Sequence, residues 1–278
     1  MRKTLTMLRR QPLGAAGGVI VLVLIAVAVL APRLAPHGPK EATFAPYLAP
    51  SAEFPMGTDQ LGRDVLSRVI WGARLSLYVG LVSVLFGITA GSLWGAVTAY
   101  LGGAADTGSQ RVVDSVMALP PIILALALMA ALGQSVNNVI IALVVLLTPT
   151  AARTIRSIAL GIIASPYMES ARAVGASNRR IIARHLIPNC MAGYIVLVTT
   201  NVSYAIVVEA SLSFIGAGAP PDEPSWGGML TAGIQAIETA PWMIFFPSVA
   251  ISLAVFGLNL FGDSIRDVTD PRLRGGLG

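Results

Sequence analysis

The stretch ESARAVGASNRRIIARHLIPN, residues 169–189, carries four Arg, one His and one Glu. Apolar stretches lie on both sides of it, since 55% of the 278 residues are hydrophobic and only 12% are charged. A soluble domain of this length needs more polar surface, so the composition predicts a membrane protein. The stretch is then a charged connection between membrane spans, and its organisation indicates which kind of membrane protein the chain forms.

This charged connection carries the signals of two short helices. Ser165 and Pro166 form a strong helix start, because Ser caps a helix and Pro fits its first position. Gly175 supplies a hinge that a side chain would resist, and Ser177 can cap a second helix. We call residues 165–189 the basic loop. Two interpretations of its small, partly apolar tip stay open: docking into a cleft of another protein, or lying at the membrane interface with its Arg residues on anionic lipid headgroups.

Six apolar segments approach the ~20 residues that a helix needs to cross a bilayer. They are residues 13–31, 75–101, 112–132, 136–152, 190–215 and 242–261. Pro120 and Pro121 interrupt the third segment. The basic start of the chain resembles a signal peptide, but the apolar run is too long and Pro32 follows the expected cleavage point. We therefore expect an uncleaved anchor and an all-α protein with six transmembrane helices.

Lys and Arg predict the orientation of these spans, because cytoplasmic loops are enriched in them. With the N-terminus inside, 14 of the 19 basic residues fall on the cytoplasmic side. These are Arg2, Lys3, Arg9, Arg10, Arg111, Arg153, Arg156, Arg172, Arg179, Arg180, Arg184, Arg266, Arg272 and Arg274. The N-terminal tail (1–12), the basic loop and the C-terminal tail (263–278) are then cytosolic. A long extracytoplasmic loop (32–74) precedes a core of five spans (75–262).

The second half of the long loop, MGTDQLGRDVLSRVIWGARLSL, has the pattern of a capped helix. Thr58 or Asp59 suits the N-cap, and Leu61, Val65 and Val69 recur at helical spacing. This pattern predicts an amphipathic helix on the outer membrane surface, ahead of the second span.

Three polar residues of the fifth apolar segment are candidates for a translocation pathway: Asn201, Ser203 and Glu209. A charge within the membrane is costly, so Glu209 is a functional candidate by default. The alternative is that Glu209 lies near the end of its span and bonds to backbone groups or to hydroxyls such as Ser211. Asn201 and Ser203 can line the pathway or form hydrogen bonds between packed helices.

Several other classes of function are poorly supported. Cys190 is the only cysteine, so a disulfide framework or a Cys-based metal site within the chain is excluded. The basic residues are not interleaved with stacking aromatics, which argues against nucleic-acid binding. A membrane enzyme would need converging nucleophile, base or metal ligands. A self-contained secondary transporter, the main alternative, would favour paired ionisable residues and an inverted repeat, whereas only Glu209 is found.

The basic loop resembles the EAA loop of ABC importer permeases, which reads Glu-Ala-Ala, three residues, Gly, a spacer and a hydrophobic-Pro ending. Here Glu169, Ser170 and Ala171 are followed by Gly175, and the loop ends at Pro188. Ser170 replaces the first Ala of the pattern, which is a change between small residues.

Three further stretches are similar to the second permease subunit of the dipeptide/oligopeptide/nickel branch of that family. They are GTDQLGRDVLSRVIWGARLSL (57–77), EASLSFIGAGAPPDEPSWGGML (209–230) and DSIRDVTDPRLR (263–274). The first 56 residues match only in general layout. The resemblance implies a type I ABC importer permease fold in the plasma (inner) membrane of a prokaryote, with both termini cytoplasmic.

The resemblance also implies the partners. A homologous second permease chain completes a heterodimer, two ATPase subunits bind ATP and Mg, and an extracytoplasmic binding protein delivers substrate. The chain itself would be a non-catalytic subunit without a cofactor or metal, since it has no GxxxxGK[ST] phosphate loop. Dipeptides or oligopeptides are the expected cargo, with nickel chelates, glutathione or another small solute as alternatives.

By the same resemblance, the basic loop is the coupling element that docks in an ATPase groove. The coupling candidates are Glu169, Ser170, Ala171, Arg172, Gly175, Ala176, Arg179, Arg180 and Pro188. The implied mechanism is alternating access: ATP binding closes the ATPases, their movement displaces the coupling helices, and the adjoining spans open the cavity outward.

Overall fold

The regular structure of the chain is helical throughout residues 12–269, the range that the computed structural model describes. The helices are α1 (Pro12–Leu34), α2 (Val65–Leu101), α3 (Gly103–Met117), α4 (Pro121–Leu132), α5 (Val136–Ile163), α6 (Pro166–Ala173), α7 (Asn178–Ile181), α8 (Ile187–Phe214), α9 (Trp226–Ile234) and α10 (Trp242–Thr269). A π-helical turn, Ile182–Leu186, joins α7 to α8. Of the predicted tails, 1–12 and 263–278, residues 1–11 and 270–278 lie outside the described residues, and residues 263–269 continue the last helix.

Five of these helices are long and apolar enough to cross a membrane, namely α1, α2, α5, α8 with its preceding turns, and α10. Helices α3 and α4 make a sixth span if they count as one, although an 86° bend separates them. The bend falls at the predicted break, where Pro121 opens α4 and Pro120 adopts an extended conformation. Proline causes it because it removes a backbone donor and disfavours helix in the residue before it. The predicted all-α, six-span architecture is confirmed in this sense.

The prediction of a separate amphipathic surface helix before the second span is wrong. Helix α2 runs unbroken for 37 residues from Val65, so the predicted surface helix is the N-terminal end of the span itself. Its N-cap is Asp64, which accepts hydrogen bonds from the backbone N–H groups of Leu66 and Ser67. Thr58 and Asp59 lie earlier, in a turn that Gly62 closes with a φ of +70°. That left-handed residue interrupts the helix, so the periodic pattern that began at Leu61 becomes helical only after Asp64.

Helix α5 continues eleven residues past its predicted end at 152, because its Arg residues find partners on α3. Arg156 donates to both oxygens of Asp106 at 2.6 Å, and Arg153 pairs with Asp114. These ion pairs hold α3 against the last turns of α5. Because each Arg has an acidic partner, the helix continues beyond its apolar segment.

Helix α2 is the centre of the bundle and packs most extensively against α5. Glycines at helical spacing let the two backbones approach. A Cβ at Gly91 would lie 2.2 Å from the carbonyl oxygen of Thr148, and one at Gly95 would lie 2.1 Å from that of Ala152. In lipid, where apolar side chains gain little by leaving the solvent, such close backbone packing is a main source of helix association.

Gly91→Ala is expected to destabilise the bundle, because backbone atoms cannot move aside as a flexible side chain can. Overpacking a close interface costs about 1–3 kcal/mol. The thermal midpoint of the purified protein should therefore fall by several degrees. Gly161→Ala on α5 is the matched control, since its Cβ would meet nothing within 4 Å. Equal midpoints for the two variants would contradict close packing at Gly91.

Candidate functional site

The basic loop has the two-helix form that its sequence predicts. Helix α6 begins at Pro166 after the N-cap Ser165, and α7 begins after Ser177. Gly175 lies between them with a φ of +75°, in the left-handed region where side chains are strained. Neither serine caps its helix through the side chain, so the expected capping hydrogen bonds are not what sets these two helix starts.

A buried apolar cluster, which we call the foot, fixes the basic loop to the bundle. Met168 on α6, Ile181 on α7 and Leu186 in the π-helical turn are each at most 1% exposed. They pack in one cluster with residues of α2, α5 and α8, including Ile155. Helix α7 then passes through the π-helical turn into α8 without a break, so residues 178–214 form one continuous helical segment. The second helix of the loop and the span are therefore parts of one helical segment.

Tyr100, at the end of α2, contacts both short helices of the basic loop and helps to hold them. Its hydroxyl donates to Asn178 Oδ1 at 2.9 Å, across 78 residues of sequence. The Arg172 guanidinium lies 5.8 Å from the Tyr100 ring centroid, in cation–π range. Tyr167 and His185 share a second hydrogen bond, at 2.6 Å, between α6 and the π-helical turn. Nothing in local spacing relates residue 100 to residue 178, so the sequence alone does not predict these contacts.

The tip of the loop is exposed and partly apolar. Val174 is 84% exposed, more than any other large hydrophobic residue between 12 and 269. The candidates Glu169, Ser170, Arg172, Gly175, Arg179, Arg180 and Pro188 are also exposed. Ala171 is buried, at 7% exposure, and Ala176 is half-buried against the foot. Ala171 therefore helps to position the loop, while Val174, beside the hinge, is presented for contact.

This arrangement suits docking. It offers an apolar tip that a buried cluster holds in place, with basic side chains around it. Single exposed hydrophobic residues are common on protein surfaces, so the case for docking rests on the way that the buried foot holds Val174 beside the hinge.

The three pathway candidates all lie on α8, but their surroundings differ. Ser203 is buried and donates to Asn259 Oδ1 of α10 at 2.6 Å, so it joins two helices. Glu209 is 0% exposed and accepts hydrogen bonds from Ser76 of α2 at 3.0 Å and from Ser213 at 2.9 Å. The suggested partner Ser211 instead donates to the backbone oxygen of Val207.

Asn201 differs from these two residues because it opens onto a cavity. Its amide nitrogen donates to the Leu197 carbonyl within α8, and its side chain lines a space of about 250 Å³. The cavity lies beside the bend between α3 and α4, and Pro149 of α5 and Tyr204 of α8 also line it. The structure thus leaves one of the three polar candidates facing open space.

Residues 84–275 match the family described as the binding-protein-dependent transport system inner membrane component. This match covers more than half of the chain, including the basic loop and α8. The chain belongs to this family. Residues 1–61 also match the N-terminal transmembrane domain of oligopeptide transport permease C. The predicted identity as an ABC importer permease of this branch is therefore confirmed.

Curated relatives are similar over nearly the whole chain. A putative peptide transport system permease protein of Brucella suis biovar 1 is 41% identical over 260 residues, covering 93% of this chain and 87% of the relative. The dipeptide transport system permease protein DppC of Alkalihalophilus pseudofirmus is 37% identical, covering 98% and 90%. The glutathione transport system permease protein GsiD of Pectobacterium atrosepticum is 38% identical, covering 95% and 89%.

The fold is also found in a solved transporter. The inward-facing MetNI methionine ABC transporter contains a chain that superimposes with a TM-score of 0.60 and 21% identity, covering 73% of this chain and 96% of that one. The chain thus has the type I importer permease fold, and it is a multi-span membrane permease of an ABC importer.

Proposed function

We propose that this chain is one of two permease subunits in an ATP-driven importer of short peptides. Relatives at 37–41% identity carry peptide, dipeptide or glutathione transport in their names, and glutathione is itself a short peptide. The complete importer would contain this chain, a homologous permease as its partner in a heterodimer, two ATPase subunits and an extracytoplasmic substrate-binding protein.

The distribution of charge supports an orientation with both termini in the cytosol. The basic loop is exposed at one end of the bundle, and residues 35–64 lie at the other end together with the loop of residues 215–225. That second end carries acidic groups such as Asp222 and Glu223. Since cytoplasmic loops of membrane proteins are enriched in Lys and Arg, the basic loop faces the ATPases.

The observation that best supports this proposal is the way in which the basic loop is held. Its exposed residue Val174 is held in place by the buried foot, and the loop continues directly into α8. When the ATPases close on ATP, the displaced tip moves α6 and α7 as a unit, and the π-helical turn passes the motion to α8. The Asn201 face of α8 then changes its exposure between the two sides of the membrane. In this scheme Asn201 lines the pathway, whereas Ser203 and Glu209 hold α8 against its neighbours.

ATP and Mg would be bound by the ATPase subunits, because this chain has no phosphate-binding loop. Its contribution is mechanical: it docks, transmits the displacement and forms half of the pathway. On this proposal it is a non-catalytic subunit, and its cargo is selected mainly by the binding protein.

The proposal is tested by extracting the tagged chain gently from its native membrane and identifying co-purifying proteins by mass spectrometry. We expect a second six-span permease and ATPase chains in equal stoichiometry with the permeases. Purification of the chain alone, with no ATPase captured even after crosslinking from a cysteine at Ser170, would overturn it in favour of a self-contained transporter.

Val174→Glu is expected to reduce the recovery of ATPase subunits with the tagged chain by at least ~10-fold. A charge placed in an apolar contact loses its water without gaining a partner, which costs several kcal/mol, and 1.4 kcal/mol is a factor of ten in binding. Leu48→Glu is the matched control, because Leu48 is also an exposed hydrophobic residue but lies at the opposite end. Equal ATPase recovery for both variants would contradict docking through the tip.

A further inference from the structure

A second polar site lies at the end of the bundle opposite the basic loop. A cavity of about 230 Å³ opens there between residues 59–68, the loop of residues 215–225, and α9. Its lining includes Arg63, Arg68 and Asp59, and the acids Asp222 and Glu223. None of the coupling or pathway candidates lines it.

The cavity lining includes two buried arginines and one buried acid, while a second buried acid, Asp64, caps α2 and does not line the cavity. Arg63 and Arg68 are 6% and 4% exposed, and both guanidinium groups share the single carboxylate of Asp59. Arg63 Nε donates to Asp59 Oδ2 at 2.6 Å, while Arg68 Nε lies 3.7 Å from the same oxygen. Arg68 Nη1 donates to the Pro39 carbonyl at 2.8 Å. The two buried cations share one carboxylate in direct contact, and Asp222 and Glu223 act on Arg68 only at longer range, so a further anion in direct contact would stabilise the group.

Arg63 has donors left to bind such an anion. Only its Nε is used, so within residues 12–269 its two terminal nitrogens make no hydrogen bond although the side chain lines the cavity. Those two nitrogens form the planar fork that binds a carboxylate through two parallel hydrogen bonds. Gln60 adds a polar group to the lining, because its buried Oε1 has no partner among the described residues.

The opposite rim is acidic. Lys40 donates to Glu223 at 2.8 Å, a contact that raises the pKa of Lys40 above its usual value and ties residues 35–64 to the 215–225 loop. Asp222 is exposed and forms no salt bridge with the described part of the chain. The cavity lining therefore includes guanidinium nitrogens of Arg63 without a hydrogen bond, and the carboxylate of Asp222, which acts on Lys40 and Arg68 at longer range without a salt-bridge contact.

We infer that this cavity is a receiving site for a short zwitterionic peptide. The peptide's α-carboxylate binds the Arg63 fork, its ammonium group faces Asp222, and its backbone N–H groups can donate to Gln60. The inference rests on the proposed peptide cargo. It extends that proposal by giving the permease a site at its entrance that binds the two charged ends of a peptide.

The test uses the assembled permease and ATPase complex in nanodiscs, without binding protein or ATP. The probe is the dipeptide alanyl-photoleucine, whose diazirine side chain crosslinks on illumination, compared with its C-terminal amide. Labelled residues are located by mass spectrometry. We expect the free acid to label cavity residues such as Met229 and Met243, and the amide to label them at least ~10-fold less, as for loss of a charge-assisted bidentate contact.

Variants separate the site from general damage to the protein. Arg63→Gln should lower labelling by the free acid at least ~10-fold, and Arg63→Lys, which keeps the charge but loses the fork, should lie between. Ala232→Phe should block labelling by filling the cavity while leaving the Asp59 ion cluster in place. Arg74→Gln is the matched control, since Arg74 is exposed, stacks on Trp71 and is outside this cavity.

Uptake of dialanine by the wild-type complex with its binding protein is measured in parallel. Absence of uptake would overturn the proposed cargo. Uptake accompanied by equal labelling from acid and amide, or by wild-type labelling of Arg63→Gln, would overturn the receiving site alone.

Discussion

A chain carrying Gly175→Pro is expected to reach the membrane and pair with its permease partner but to lose ATP-driven uptake. Gly175 has a φ of +75°, and its N–H donates to the Arg172 carbonyl at 2.9 Å. Proline cannot adopt a positive φ and has no N–H, so the native turn becomes less favourable by roughly 3 kcal/mol, a factor of about 100 in its population. Uptake and substrate-stimulated ATPase activity of the reconstituted complex are the measurements.

The other substitutions at this position separate backbone conformation from space. A Cβ at Gly175 would meet nothing within 4 Å, so side-chain volume is tolerated and only the left-handed conformation is demanding. Gly175→Asn should therefore retain most of the uptake, because Asn tolerates this conformation, and Gly175→Ala should lie between. Normal uptake by Gly175→Pro would contradict the coupling role of the turn.

Glu209→Leu is expected to destabilise the complex, with unfolding made easier by about 3 kcal/mol. The change leaves the hydroxyl groups of Ser76 and Ser213 without the acceptor that they now share. Each unsatisfied buried polar group costs about 1–3 kcal/mol. The thermal midpoint should fall by about 5–10 °C, which a fluorescence-detected melt of the purified complex would measure.

Ser211→Ala is the control for this variant, since Ser211 is half-buried and its hydroxyl bonds only to the backbone of its own helix. Its melting midpoint should match that of the wild type. Glu209→Gln gives the decisive comparison between structural and transport roles. A Gln variant with a normal midpoint but no uptake would show that the carboxylate is needed for transport, which contradicts a purely structural role for Glu209.

The basic loop illustrates how far local sequence reaches. Ser165-Pro166, Gly175 and Ser177 predicted two short helices around a hinge, and the helices begin where those signals lie. The signals work because a helix start and a left-handed turn depend on a few neighbouring residues. The same reasoning failed at Thr58 and Asp59, where a cap-like pattern was followed by the left-handed Gly62 and the helix began only after Asp64.

Composition and spacing alone determined that this chain is a membrane-spanning helical protein, where its bend lies, and which connection between spans is basic. These properties follow from apolar length, proline placement and charge counts along the chain. Tertiary structure decided which polar residues face open space, since Asn201 lines a cavity while Glu209 is sealed by Ser76, 133 residues away. It also decided the hydrogen bond between Tyr100 and Asn178 and the ion cluster of Arg63, Asp59 and Arg68. Whether a polar side chain is buried, bonded or free depends on the element packed against it, and a single sequence carries no local signal for that partner.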